Sequence, residues 1–161
     1  MNFLKSIFGR RVPDSERVME QAIALSQQGD AVTAMTIIKE CVREIQNACG
    51  DPSMKYAEAL SHYATVAFAT GDPVLGANQC LAAAESCPKN RDGNKARLTY
   101  LMNAGQFLAH SGNASQAIPI LKDSLKERID FYGDGHAGVA CGQQVLAEAM
   151  LAEEQYEQGL Q

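Results

Sequence analysis

A period of about 42 residues constrains this chain more than any other feature. Small residues stand at Ala34, Gly76, Ala117 and Gly159, at intervals of 42, 41 and 42. A second set, Ala22, Ala64, Gly105 and Ala147, keeps the same three intervals. Between the two sets fall Gly29-Asp30, Gly71-Asp72 and Gly112-Asn113, with Glu154-Gln155 in the fourth place. Two sets sharing one period imply a recurring structural unit, and a period of this size signals stacked helical hairpins. The small residues have a mechanical reason. Where two antiparallel helices cross near their joining turn, a side chain of one or no carbon lets the backbones approach, and neighbouring Leu, Ile and Val fill the seam.

Taken in order, the helical periods are regular. Pro13, Asp14, Ser15 and Glu16 form a helix start, and Val18, Ala22 and Leu25 make the inner stripe of a helix running to about Gln28. Ala34, Ile38, Cys41 and Ile45 line the next helix, which Gly50 and Pro52 stop. The second hairpin uses Leu60, Ala64, Ala67 and Phe68, then Gly76, Cys80 and Ala83. The third uses Leu101, Gly105 and Leu108, then Ala117, Leu121, Leu125 and Ile129. Pro119 lies near the start of the latter helix, where a missing N–H costs less, so that helix is kept with room for a bend. A seventh helix carries Val139, Leu146, Ala147 and Met150. The expectation is an all-α chain of about seven helices: hairpins at about 14–49, 53–87 and 92–132, and a terminal helix at 136–160. These form one unit, 13–161, after an extension at 1–12. An eighth helix of the pattern would begin near Gly159, so helix seven is either a cap or the point where a longer protein continues.

Residues 1–12, MNFLKSIFGRRV, differ from the rest. Phe3, Leu4, Ile7 and Phe8 would share one face of a short helix, with Lys5, Arg10 and Arg11 beside and after it. Three readings stay open for this docking candidate: an extension that packs on the first hairpin or has no order, a segment that docks in a groove, or a basic amphipathic piece that touches an anionic membrane weakly.

Composition narrows the function classes. A formal net charge of −5 argues against a general affinity for nucleic acid, which needs clustered Lys and Arg. Five cysteines, an odd number with no Cys-x-x-Cys pair, favour buried apolar thiols in a reducing compartment. No apolar run approaches the ~20 residues of a membrane-spanning helix, and a cytoplasmic setting is expected. His62 and His110 sit in neighbouring hairpins without a third ligand at suitable spacing, so no metal is expected; no phosphate-binding, hydrolase or zinc-protease motif is present, so neither a cofactor nor catalysis is expected.

The small residues Ala64, Gly71, Gly76, Ala83 and Pro88, and again Gly105, Gly112, Ala117 and Leu121, make the pattern resemble a tetratricopeptide repeat. Its length resembles the long-repeat variety of kinesin light chains, as do the loop Tyr132–Ala140 and the turn near Glu154–Leu160. The aromatic residue often found early in the first helix is absent from hairpins one and three. The resemblance implies a right-handed superhelical solenoid whose first helices line a concave groove for a peptide or partner helix. It places Met19, Glu20, Ile23, Ser61, His62, Thr65, Phe68, Met102, Asn103, Gln106, His110, Gln144 and Glu148 on that groove. Asn103 matches a position where the long variety often has a backbone-binding Asn, whereas the Lys/Asn/Arg clamp for a terminal carboxylate is not reproduced. The functional expectation is a non-catalytic adaptor. The alternatives are a self-associating scaffold that uses the terminal helix around Leu146, Met150 and Leu151 and is recruited through its N-terminus, or a secretion-type chaperone.

Overall fold

The computed structural model describes residues 15–159. The described part is all helical: α1 (Ser15–Gln27), α2 (Ala31–Cys49), α3 (Met54–Ala69), α4 (Pro73–Glu85), α5 (Arg91–His110), α6 (Ala114–Tyr132) and α7 (Ala137–Gly159). The expected all-α chain of about seven helices is what these residues form. Phe3, Leu4, Ile7 and Phe8 lie outside the described residues.

The recurring turns are built alike because glycine supplies what other residues resist. Gly29, Gly71 and Gly112 have φ of +87°, +88° and +77°, a left-handed conformation that costs glycine little. The next residue stands at the N-cap of the following helix. Asp30 accepts a hydrogen bond from the Thr33 amide and Asp72 one from the Leu75 amide, each satisfying an otherwise unpaired first-turn N–H. At the third turn Asn113 makes no such cap; its Nδ2 instead donates to Ser111 Oγ at 2.8 Å. Helix α6 continues through Pro119, whose missing N–H falls within the first two turns on an exposed stretch.

Each helix packs on the next, and the alternate helices α1, α3, α5 and α7 also touch in sequence, closely at α1–α3 and α5–α7 and only slightly at α3–α5. The first core joins α1 to α5 through Val18, Met19, Ile38, Cys41, Ile45, Leu60, Val66 and Tyr100. A second joins α4 to α7 through Ala77, Leu108, Ala117, Leu121, Val145 and Ala149.

The small positions do the packing that their period implies. Ala22, Ala34, Ala64 and Ala117 are wholly buried. A Cβ on Gly76 would stand 3.0 Å from the Ala64 carbonyl oxygen, and one on Gly105 would stand 2.5 Å from Leu121. Helix α7 departs from the pattern. Its buried side runs through Val139, Gly142, Val145 and Ala149, while Ala147 and Met150, read from the period as inward, are exposed. The reason is geometric: Ala147 occupies the place that faces a second helix in the other hairpins, and among the described residues no helix packs there. Phe68 also leaves its expected inner stripe, at 38% exposure.

Candidate functional site

The row α1–α3–α5–α7 is least closed between α3 and α5, and an aromatic cluster stands at that place. Phe68, at the end of α3, stacks on Phe107 of α5 with ring centroids 4.5 Å apart and planes 14° from parallel. His110, one turn beyond Phe107, meets Phe68 at 5.7 Å with the ring planes 62° apart. The cluster rests on the repeat's small residues. Phe107 can lie over the start of α4 only because Gly76 has no side chain, its Cβ position being 3.0 Å from Phe107 Cδ2. Large aromatic faces left partly open offer contact area with few rotatable bonds to order on binding.

Around this cluster the other residues expected on the groove fall into three groups. Glu20, Thr65, Gln144 and Glu148 are exposed, and Gln144 Nε2 donates to Glu148 Oε1 at 2.9 Å. Ser61, His62, Asn103 and Gln106 are half-buried; Thr65 Oγ1 donates to the Ser61 carbonyl at 3.2 Å. Met19, Ile23 and Met102 serve the cores. Met19 is 2% exposed inside the first core and presents nothing to a partner, Ile23 packs against that core, and Met102 packs on the second. Met102 Sδ also lies 3.8 Å from Cys141 Sγ, which ties α5 to α7. Only Phe68 and His110, of the expected set, come into ring contact across two helices.

Sequence reasoning missed Phe107, although its position three residues before His110 puts it on the same helix face. It also missed Arg128. This guanidinium is 4% exposed, and it donates from Nη2 to the Leu98 carbonyl at 2.6 Å and from Nη1 to the Gly138 carbonyl at 3.2 Å. Its Nε has no hydrogen-bond partner among the described residues. Burial lowers its pKa, and the charges acting on it are Tyr132 and Cys141 rather than a carboxylate. Arg128 therefore clasps α5, α6 and α7 through backbone oxygens.

The thiols are inert where they are buried. Desolvation pushes Cys80 up to about 12 and Cys41 up to about 11, with Glu44 a second cause at Cys41. Among the described residues no three His, Cys, Asp or Glu side chains are grouped so as to hold a metal ion, and no helix is long and apolar enough to cross a membrane. Compared with known proteins, the chain matches no family model and no curated protein.

Proposed function

We propose that the chain is a right-handed solenoid of long tetratricopeptide-like hairpins that acts as a non-catalytic adaptor, holding a peptide or helix of another protein along α1, α3, α5 and α7. The observation that carries this reading is the Phe68–Phe107–His110 cluster, partly open at the least closed point of that row. The polar residues around it, Ser61, His62, Thr65, Asn103 and Gln106, supply the adaptable hydrogen bonding that fixes an extended segment's register. An apolar anchor in a polar rim is how interfaces concentrate binding energy in few residues.

The test is direct. Peptides selected from a displayed random library on the full chain are measured against the native protein and against Phe68→Ala/Asn103→Ala. The double variant is expected to bind at least about tenfold more weakly, as loss of an aromatic anchor of ~2 kcal/mol implies, with helicity unchanged. Equal affinity removes the groove from the account.

A second reading, self-association through α7, is favoured by one observation. Ala147 is exposed on that helix beside Met150 and Leu151, themselves 49% and 57% exposed, although the repeat period marks Ala147 as a helix-crossing position. Light scattering at high concentration should then show dimers that Met150→Glu/Leu151→Glu abolishes. A strict monomer contradicts it.

A further inference from the structure

A cleft of about 400 Å³ opens at the far end of α5 from the aromatic cluster, lined by Arg91, Asp92, Lys95, Phe131, Tyr132 and His136. The end of a 20-residue helix lies about 30 Å from its start, so the cleft is separate from the row between α3 and α5. Its two sides differ in chemistry. On one, Arg91 and Lys95 are four residues apart and share a face of α5; neither joins an ion pair among the described residues, in a chain of net charge −5. On the other, three rings are in mutual contact: Phe131 meets Tyr132 at 4.7 Å with planes 84° apart, and Tyr132 stacks on His136 at 4.3 Å with planes 11° apart.

The histidine is oriented as well as stacked. Its Nδ1 accepts a hydrogen bond from the Gly138 amide at 3.0 Å, which leaves Nε2 to carry the hydrogen and act as a donor. One helical turn before Tyr132, the buried Arg128 adds a positive charge whose hydrogen bonds go to the Leu98 and Gly138 carbonyls. The cleft thus combines a guanidinium, an ammonium and an imidazole N–H with a cluster of three aromatic rings, and its volume lies within the range of small-molecule sites.

We propose that this cleft binds a small phosphate monoester carried on a flat ring, with Arg91, Lys95 and His136 donating to the phosphate and the Phe131–Tyr132–His136 ring cluster packing against the ring. Three donors from three side chains suit the three outer oxygens of a phosphate better than the two of a carboxylate. Asp92, the one carboxylate in the lining, opposes the anion and sets an upper limit on its affinity.

The probe is phenyl phosphate, titrated into the isotope-labelled full chain and followed by amide chemical shifts. Saturable shifts at 91–95 and 135–138 are expected, with binding about fivefold or more tighter than inorganic phosphate, which lacks the ring, and than benzoate, which lacks the third oxygen. Arg91→Gln/Lys95→Gln should lose about tenfold or more in affinity with the remaining spectrum unchanged, since both side chains are exposed, and Asp92→Asn should gain about threefold. Non-saturating shifts spread over many basic residues, an affinity unaltered in the double variant, or weaker binding by Asp92→Asn would each overturn the proposal.

Discussion

Glycine and cysteine carry the clearest consequences at the scale of single residues. Gly105 lies under Leu121, which is 2% exposed and has little room to turn aside, and Gly93 lies under the Pro88 carbonyl oxygen, 1.9 Å from where a Cβ would sit. Gly105→Ala should therefore lower stability by about 1–3 kcal/mol, the usual cost of overpacking, and Gly93→Ala by more, because a backbone atom blocks it. Denaturant unfolding measures both; a neutral Gly105→Ala would mean that the helices do not cross there. The thiols give a second prediction. Cys49 and Cys141 are exposed while Cys41, Cys80 and Cys87 are buried, and burial raises the pKa of all three buried thiols. An alkylating reagent near pH 8 should modify the first two quickly and the other three only as the protein opens. Rapid loss of all five thiols would contradict the packing.

Helices differed in how much of them could be read from the sequence, and the reason lies in how many partners each has. Helix α2 was legible throughout: Ala34, Ile38, Cys41 and Ile45 keep one clean helical stripe, and all four are buried. Helix α7 was not, because its sequence offers small or apolar residues on two sides and the stripe read from it took Ala147 and Met150, which are exposed, over Val145 and Ala149, which are buried. Arg128 on α6 was invisible for a different reason. Its burial rests on two backbone carbonyls and on the room that Gly138 and Gly142 leave beside it, and no hydrophobic period encodes either. If Arg128 clasps three helices, Arg128→Ala should cost about 3 kcal/mol or more by leaving the Leu98 and Gly138 carbonyls unpaired beside a cavity. Thermal unfolding checks this, and a shift of less than about 2 °C would show that the clasp adds nothing.

The molecule as a whole follows from the repetition of one hairpin. The turn glycines, the Asp caps and the small residues at the crossings are each local, and stacking is how a hairpin that cannot bury its own apolar face becomes stable. The expected groove residues were less legible than the stack because exposed and core residues alternate on the same helices. Met19 and Phe68 differ little in apolar character, yet one closes a core and the other stands open beside Phe107. Only the offset between successive hairpins decides which, and a single sequence carries no direct record of that offset.

If partners are held along the row of alternate helices, they should shield those helices from solvent. Hydrogen exchange on the full chain, with and without a saturating library-selected peptide, tests it most directly. Slowed exchange concentrated in α3 and α5 around Phe68 and Phe107, extending to α1 or α7 and leaving the outer faces of α2, α4 and α6 unchanged, is the predicted result. Protection confined to α2, α4 and α6, or to 1–14, would contradict the account.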